Sequence, residues 1–148
     1  MPRTNKKVED KIKHWFKDST DYIFISDNER ISIWPKEPIA SIAFLIKQLH
    51  VLQVGTSMGA IKHEKIIPDH TLALSHLLNK EAIPSVDLDR KDALQYLRKE
   101  NFVWPDEQKG FVLIRYEGLG LGWVNSLSGR INNLYPTNWR IRMLDLKI

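Results

Sequence analysis

The sequence predicts an α+β fold in which helices flank a small antiparallel β-barrel or curled sheet. Two observations lead to this class. Along the first hundred residues, segments with the hydrophobic period of a helix alternate with segments that have the two-residue period of a strand. In the last forty residues, segments rich in β-forming residues are interspersed with glycines. The chain of 148 residues is 43% hydrophobic and 27% charged, which is typical of a folded globular protein of one domain or two small lobes.

The first seventy residues are predicted to alternate between helix and strand. A hairpin is indicated because two β-rich runs are separated by Asp27 and Asn28, which favour a tight turn. The predicted elements, in order, are a helix at Val8–Lys17, strands at Tyr22–Ser26 and Arg30–Trp34, an apolar helix in "IASIAFLIKQLH", and two strands around a loop in "VLQVGTSMGAIKHEKIIP".

Two further helices are marked by aspartates at their expected starts. Asp69 and Asp89 have the side chain that best accepts the unpaired N–H groups of a first helical turn. The residues predicted to be buried on these helices are Leu72, Ala73, Leu77 and Leu78 on the first, and Leu94 and Leu97 on the second, which ends near Glu100.

The last forty residues contain three predicted strands. Phe111–Tyr116 and Leu119–Asn125 are joined by a glycine turn, and the alternating segment "WRIRMLDL" closes the chain. Trp123 is expected to fill the core, and the glycines around it indicate a bulge, a barrel corner or a close backbone approach. A phosphate-binding loop is disfavoured because no helix opens directly after these glycines.

The net charge of +4 is concentrated at the C-terminal end. Residues 1–108 contain 16 basic and 16 acidic side chains, whereas residues 109–148 contain six basic and two acidic ones. Arginines beside aromatic and amide groups are typical of a nucleic-acid surface, since guanidinium groups bind phosphate and stack on bases. A solvated basic face without a ligand is the alternative.

Candidate RNA contacts follow from this charge distribution. Arginines on one face of the last strand would meet phosphates, and asparagines would bond base edges or 2′-hydroxyl groups. Tyr135 or Trp139, on either side of Pro136, would stack on an unpaired base. Turn formation by the asparagines and a core position for the aromatic residues are the structural alternatives. The candidates are Arg130, Asn132, Asn133, Tyr135, Arg140 and Arg142, with a second basic cluster at Lys62 and Lys65.

The sequence argues against catalysis, metal binding and a cofactor. It has no cysteine, so it offers no thiolate nucleophile, disulfide or thiolate metal site. His63, His70 and His76 lack the helical spacing of a zinc site, and no serine lies in a nucleophile elbow. With no apolar run that could span a membrane and no secretory signal, the expected location is cytoplasmic.

Three segments resemble the C-terminal region of the Sun/Nop-type RNA 5-methylcytosine methyltransferases, of the ribosomal RNA small-subunit methyltransferase F type. They are "VGTSMGAIKHEKIIPDHTLALSHLL", "VDLDRKDALQYLRKE" and "KGFVLIRYEGLGLGWVNSLSGRINNLYPTNWRIR". The resemblance covers about residues 50–143 and implies a PUA-like RNA-binding domain over residues 50–148. Residues 1–49 are then a helix, a hairpin and a further helix packed on that domain.

The resemblance does not extend to methyltransferase chemistry. The family attacks cytosine with a cysteine thiolate, which this chain lacks, and "VGTSMG" does not have the glycine pattern of a nucleotide-binding fold that would hold S-adenosylmethionine. The chain is therefore expected to be an RNA-binding module for structured ribosomal RNA or tRNA. This module would either target a cytosine-5 methyltransferase to its RNA or be related to such an enzyme, and its process would be ribosomal RNA processing. Its partners would be RNA and a methyltransferase or ribosomal subunit. The alternative is a protein-interaction domain that docks a catalytic partner through its basic C-terminal face.

Overall fold

A computed structural model describes residues 6–104, 108–128 and 130–143. The chain divides into two compact units, the first ending at Ala82 and the second beginning at Ile83. Each unit contains one four-stranded sheet together with short helices, which confirms the predicted α+β class. Among the described residues, no helix has both the length and the apolar character needed to cross a membrane.

From residue 6 onward, the first unit contains an antiparallel sheet in the strand order β1-β2-β3-β4 together with the helices α1, α2 and α3. Its core is formed by apolar side chains of the first three strands, including Phe24, Ile31 and Met58. Its elements are α1 (Lys6–Ile12), a 3₁₀ turn (Lys13–Trp15), β1 (Tyr22–Asp27), β2 (Arg30–Pro35), α2 (Ile39–Gln48), β3 (Thr56–Lys62), β4 (Lys65–Pro68) and α3 (His70–Leu74).

Most of the predicted elements of this unit are confirmed, but α3 ends at Leu74, before Leu77 and Leu78, which were predicted to lie on its buried side. The β1–β2 hairpin turns at Asn28, whose φ of 54° is the left-handed conformation that asparagine tolerates. Asp69 caps α3 by accepting a hydrogen bond from the backbone N–H of Thr71. The first helix is shorter than predicted, because the chain tightens into the 3₁₀ turn at Lys13 and Phe16 forms a bridge with Leu78.

The two units meet in sequence at Ala82 and Ile83, whereas the sequence predicted a division after residue 49. The reason is the strand pairing of the N-terminal hairpin. β2 pairs with β3 and β3 with β4, so residues 56–68 complete the sheet that the hairpin begins. The segment from residue 50 to Ala82 therefore belongs to the first compact unit.

In its described residues, the second unit is a mixed sheet in the strand order β5-β6-β7-β8 packed with the helix α4. The short strand β5 is parallel to β6, and the other pairs are antiparallel. The described strands form open sheets and not the closed barrel considered from the sequence. The elements are β5 (Ser85–Asp87), α4 (Arg90–Arg98), β6 (Gly110–Tyr116), β7 (Leu119–Leu127), β8 (Arg130–Asn133) and a 3₁₀ turn (Thr137–Trp139).

The glycines of "GLGLGW" form a turn and a bulge, as predicted. Gly118 has a φ of 75° in the two-residue turn between β6 and β7, with no atom within 4 Å of where a Cβ would lie. The strand register shifts beyond Ile114, so that Ile114 faces Gly122 while Arg115 faces Gly120. Trp123 follows with 2% of its surface exposed, which confirms its predicted core position.

The helix α4 buries a different pair of residues from the one predicted. Asp89 caps it through the backbone N–H of Asp92 at 2.8 Å, as expected. The fully packed residues are Ala93 and Tyr96, while Leu94 and Leu97 are only partly buried. The helix is rotated so that the Tyr96 hydroxyl donates a hydrogen bond to the backbone oxygen of Trp123 at 3.1 Å, which satisfies a polar group in the core.

The C-terminal region differs from its prediction in two places. The segment predicted as a loop before Tyr135 forms β8, paired with the end of β7. The alternating segment that begins at Trp139 was predicted to be a strand, but residues 137–139 form a 3₁₀ turn and residues 140–143 pair with no strand of the described sheet. Residues 144–146 of that predicted strand lie outside the described residues.

Candidate nucleic-acid interface

The β7–β8 hairpin presents two of the candidate residues on one face. Arg130 lies opposite Leu127 and Asn132 lies opposite Asn125, and residues paired in this way share a face of an antiparallel sheet. Both Arg130 and Asn132 are exposed. A guanidinium group and an amide are therefore available side by side near the tip of this hairpin.

The neighbouring asparagine faces the other way because side chains alternate along a strand. Asn133 lies opposite Val124 and is partly buried. Its Nδ2 donates to the backbone oxygen of Tyr96 at 2.8 Å, and its Oδ1 accepts from the backbone N–H of Tyr135 at 2.9 Å. Asn133 thus connects helix α4 to the chain that leaves the sheet.

Tyr135 is partly buried at the edge of the interior of this unit. Its ring packs edge to face against Tyr96 with ring centroids 5.6 Å apart, and it borders the core formed by β5, β6, β7 and α4. This packing leaves the Tyr135 side chain partly buried. Tyr135 therefore packs at the edge of this core, and its contact with RNA stays a prediction.

Lys99 is a positioning residue that no motif in the sequence indicates. It ends helix α4 in the left-handed conformation, with a φ of 59°. Its Nζ donates to the backbone oxygens of Asn133 and Tyr135 at 3.0 and 2.7 Å. The sequence indicates only that Lys99 lies near the end of a helix. Its two acceptors could not be recognised from the sequence, because they are backbone oxygens more than thirty residues away.

Arg140 and Arg142 are exposed on a segment that is attached to α4. The backbone N–H of Ile141 donates to the oxygen of Leu97 at 3.1 Å, and Arg98 Nη2 donates to the oxygen of Met143 at 2.9 Å. Ile141 is partly buried, so the two arginines flank the residue that faces the helix. The exposure expected from a strand is thus produced by a segment without strand pairing.

Arg115 has a different role from these two arginines. Its Nη2 forms an ion pair with Asp87 Oδ2, and the guanidinium is mostly buried. Asp87 Oδ1 also accepts from the backbone N–H of Gly118 at 3.4 Å, so this pair braces the β6–β7 turn against β5. The C-terminal excess of positive charge is therefore divided between a structural pair and exposed side chains.

The second predicted cluster, Lys62 and Lys65, belongs to the first unit. The two lysines are directly paired at the end of the β3–β4 hairpin, and both are exposed. The turn between them consists of His63 and Glu64, both with positive φ, and Glu64 Oε2 lies 3.7 Å from Lys11 Nζ. Like charges at the hairpin tip are thus accompanied by an acidic neighbour.

Among residues 6–104, 108–128 and 130–143, no three histidine or acidic side chains are close enough together to hold a metal ion. The histidine His70 is partly buried, and this burial lowers its pKa, while the nearby Asp69 opposes the shift. The chain contains no cysteine, and hence no thiolate that could attack a pyrimidine ring.

Residues 83–141 match the family described as the methyltransferase RsmF PUA domain. The match begins at the start of the second compact unit and ends beside the exposed arginines, and it covers less than half of the chain. It confirms the family resemblance for this segment and supports an accessory RNA-binding module in the second unit. No curated protein matches the chain closely enough to count as a relative.

Proposed function

We propose that the second unit binds structured RNA, with ribosomal RNA as the first candidate and tRNA as the second. In this proposal the unit targets an RNA cytosine-5 methyltransferase to its substrate during ribosomal RNA processing. The single observation that carries the proposal is the match of residues 83–141 to a methyltransferase PUA domain. A cytoplasmic location and a methyltransferase or ribosomal partner, both expected from the sequence, are part of the same proposal.

The proposed contact surface consists of the exposed candidates of this unit, namely Arg130, Asn132, Arg140 and Arg142. The arginines contact phosphate oxygens, for which the planar guanidinium group is suited. Asn132 bonds a base edge or a 2′-hydroxyl group. Asn133 and Tyr135 act indirectly, by fixing the chain that connects the hairpin to the arginine segment.

Lys62 and Lys65 form a separate proposed contact with the phosphate backbone. Their charges lie at one hairpin tip and are exposed, which favours a contribution to affinity without base selection. We expect their removal to weaken binding to every RNA by a similar factor.

The proposal is tested by titrating the full chain with a structured ribosomal RNA fragment and with an unstructured oligonucleotide at several salt concentrations. The expected result is preferential binding of the structured RNA, with affinity that falls steeply as salt rises. The double variant Arg140→Ala with Arg142→Ala should reduce the slope of log affinity against log salt by about two, because about one counterion is released for each phosphate contact.

The matched control removes two other exposed cations of the same unit, by Lys91→Ala with Lys109→Ala. This variant has the same net charge as the arginine variant, so equal losses in both would mean that only overall charge matters. A wild-type chain that binds neither RNA at low salt would contradict the proposal. The basic segment would then be assigned to a protein partner, which was the alternative expected from the sequence.

A further inference from the structure

Trp139 is the most exposed of the five tryptophans. Trp123 is buried, Trp15, Trp34 and Trp104 are partly buried, and Trp139 has 58% of its surface exposed. Large aromatic side chains are usually covered in a folded domain, and exposed ones are frequent at binding sites. The exposed part of this indole is therefore a candidate surface for binding a ligand.

The backbone around Trp139 is held firmly although its side chain is exposed. Its N–H donates to the oxygen of Pro136 at 3.0 Å within the 3₁₀ turn. Two residues later, Ile141 is hydrogen-bonded to Leu97, and Arg98 binds the oxygen of Met143. An aromatic ring presented on a fixed backbone loses little conformational entropy when a flat ligand stacks on it.

The charge beside this ring identifies the chemistry of that ligand. Arg140 follows Trp139 directly and Arg142 lies two residues further on, and both are exposed. An exposed aromatic residue with two exposed arginines within the next three positions of the chain suits a nucleotide, which combines a flat base with a phosphate on each side. Of the two aromatic residues that flank Pro136, Tyr135 has its ring packed against Tyr96, and Trp139 is the more exposed.

We propose that Trp139 stacks on an unpaired nucleotide of the bound RNA while Arg140 and Arg142 contact the flanking phosphates. The substrate class is thus RNA in which an unpaired base adjoins a structured helix. Stacking uses the face that every base has, so this contact selects unpaired bases without reading their identity. The proposal rests on the RNA-binding function proposed for this unit.

The test compares two hairpin RNAs that differ at one position. One carries a single bulged 2-aminopurine, and in the other this position is paired. The full chain, the variant Trp139→Ala and the conservative variant Trp139→Phe are titrated with each. We expect Trp139→Ala to weaken binding of the bulged RNA by about 5- to 100-fold and to change binding of the paired RNA less than about twofold. Trp139→Phe should retain most of the affinity because it keeps an aromatic face.

Fluorescence of the 2-aminopurine gives a readout that a general loss of affinity would not mimic. Stacking on the indole should quench it with the wild-type chain, and saturating amounts of Trp139→Ala should leave it unquenched. Equal affinities of wild type and Trp139→Ala for the bulged RNA, or equal losses on both RNAs, would overturn the stacking proposal while the RNA-binding function stands. Failure of the wild-type chain to bind either RNA would overturn both and favour a protein partner for Trp139.

Discussion

Each unit contains one longer helix, and the two helices relate to their surroundings in opposite ways. α2 in the first unit is almost entirely apolar in sequence, "IASIAFLIKQ", yet none of its residues is buried. Phe44 has 63% of its surface exposed, and Leu45 and Ile46 are also exposed. α4 in the second unit is rich in charged residues, "RKDALQYLR", and buries Ala93 and Tyr96.

The difference shows that the arrangement of side chains determines packing more than their average polarity does. In α4 the apolar residues recur at three- and four-residue intervals, so one stripe faces the sheet while the charges face water. Both ends of α4 are capped. At the start the Asp89 carboxylate accepts from the backbone N–H of Asp92, and at the end the backbone N–H of Lys99 donates to the oxygens of Gln95 and Tyr96. α2 has no side-chain hydrogen bond at its N-cap, Pro38.

The largest effect is expected at the centre of the α4 contact. Tyr96→Ala removes a fully buried ring that packs against Phe102 and Tyr135, and it should lower the free energy of unfolding by about 3–5 kcal/mol, as expected for a buried aromatic residue. Denaturant unfolding followed by circular dichroism measures this change. Tyr96→Phe keeps the ring and loses only the hydrogen bond to Trp123, so it should cost about 0.5–1.5 kcal/mol. A similar loss in both variants would mean that the hydroxyl dominates.

The same tyrosine predicts a dependence on alkaline pH. Burial raises the pKa of Tyr96, because the low-polarity surroundings disfavour the phenolate. The unfolded chain releases this proton near pH 10 and the folded chain retains it. The contribution of Tyr96 to the free energy of unfolding is therefore complete below pH 10. Above pH 10 the free energy of unfolding declines by about 1.4 kcal/mol per pH unit. Unfolding measured from pH 9 to 11 should show a shallower decline for Tyr96→Phe, and parallel curves would contradict this prediction.

The asparagine pair of β8 gives a matched test of the two faces of this sheet. Asn133→Ala leaves the backbone oxygen of Tyr96 and the N–H of Tyr135 without their partner, and should cost about 1–3 kcal/mol of unfolding free energy. Asn132→Ala changes an exposed side chain and should stay within about 0.5 kcal/mol. Thermal unfolding of the two variants decides between this order and equal contributions from both asparagines.

Some parts of the fold were predictable from the sequence, and others, including the strand that carries these two asparagines, were not. Local signals were sufficient for the β1–β2 hairpin, for the caps at Asp69 and Asp89, and for the core position of Trp123. The strand β8 was missed because "RINN" is polar and asparagine favours turns, and its pairing with β7 overrides that local preference. At the C-terminus the alternation of arginine and isoleucine resembled a strand, although the segment is fixed by hydrogen bonds to α4.

The candidate site was predictable in its residue types more than in its arrangement. The excess of arginine identified Arg130, Arg140 and Arg142, which are all exposed. Which of the two neighbouring asparagines and which of the two nearby aromatic residues is more exposed depends on contacts with α4. The partners of Asn133 and Tyr135 are Tyr96 and Lys99, which are more than thirty residues distant in sequence. No local pattern distinguishes Asn132 from Asn133 or Trp139 from Tyr135 before those contacts are known.

A smaller effect is expected at the start of α4. Asp89→Ala removes the acceptor for the N–H of Asp92 and should lower the free energy of unfolding by about 1 kcal/mol. Asp89→Asn retains a side-chain oxygen that can cap the helix, so it should behave nearly as the wild type in denaturant unfolding. Equal destabilisation by both substitutions would show that the negative charge near the helix end matters more than the hydrogen bond.

The smallest effect is expected in α2 and the segment that follows it, in spite of their apolar character. Phe44→Ser and Leu52→Ser replace side chains with 63% and 89% of their surface exposed, so each should change the free energy of unfolding by less than about 0.5 kcal/mol. Leu72→Ala, at a fully buried position of the same unit, is the control and should cost about 2–5 kcal/mol. If Phe44→Ser destabilised the chain as much as Leu72→Ala does, α2 would be packed in solution and its contrast with α4 would disappear.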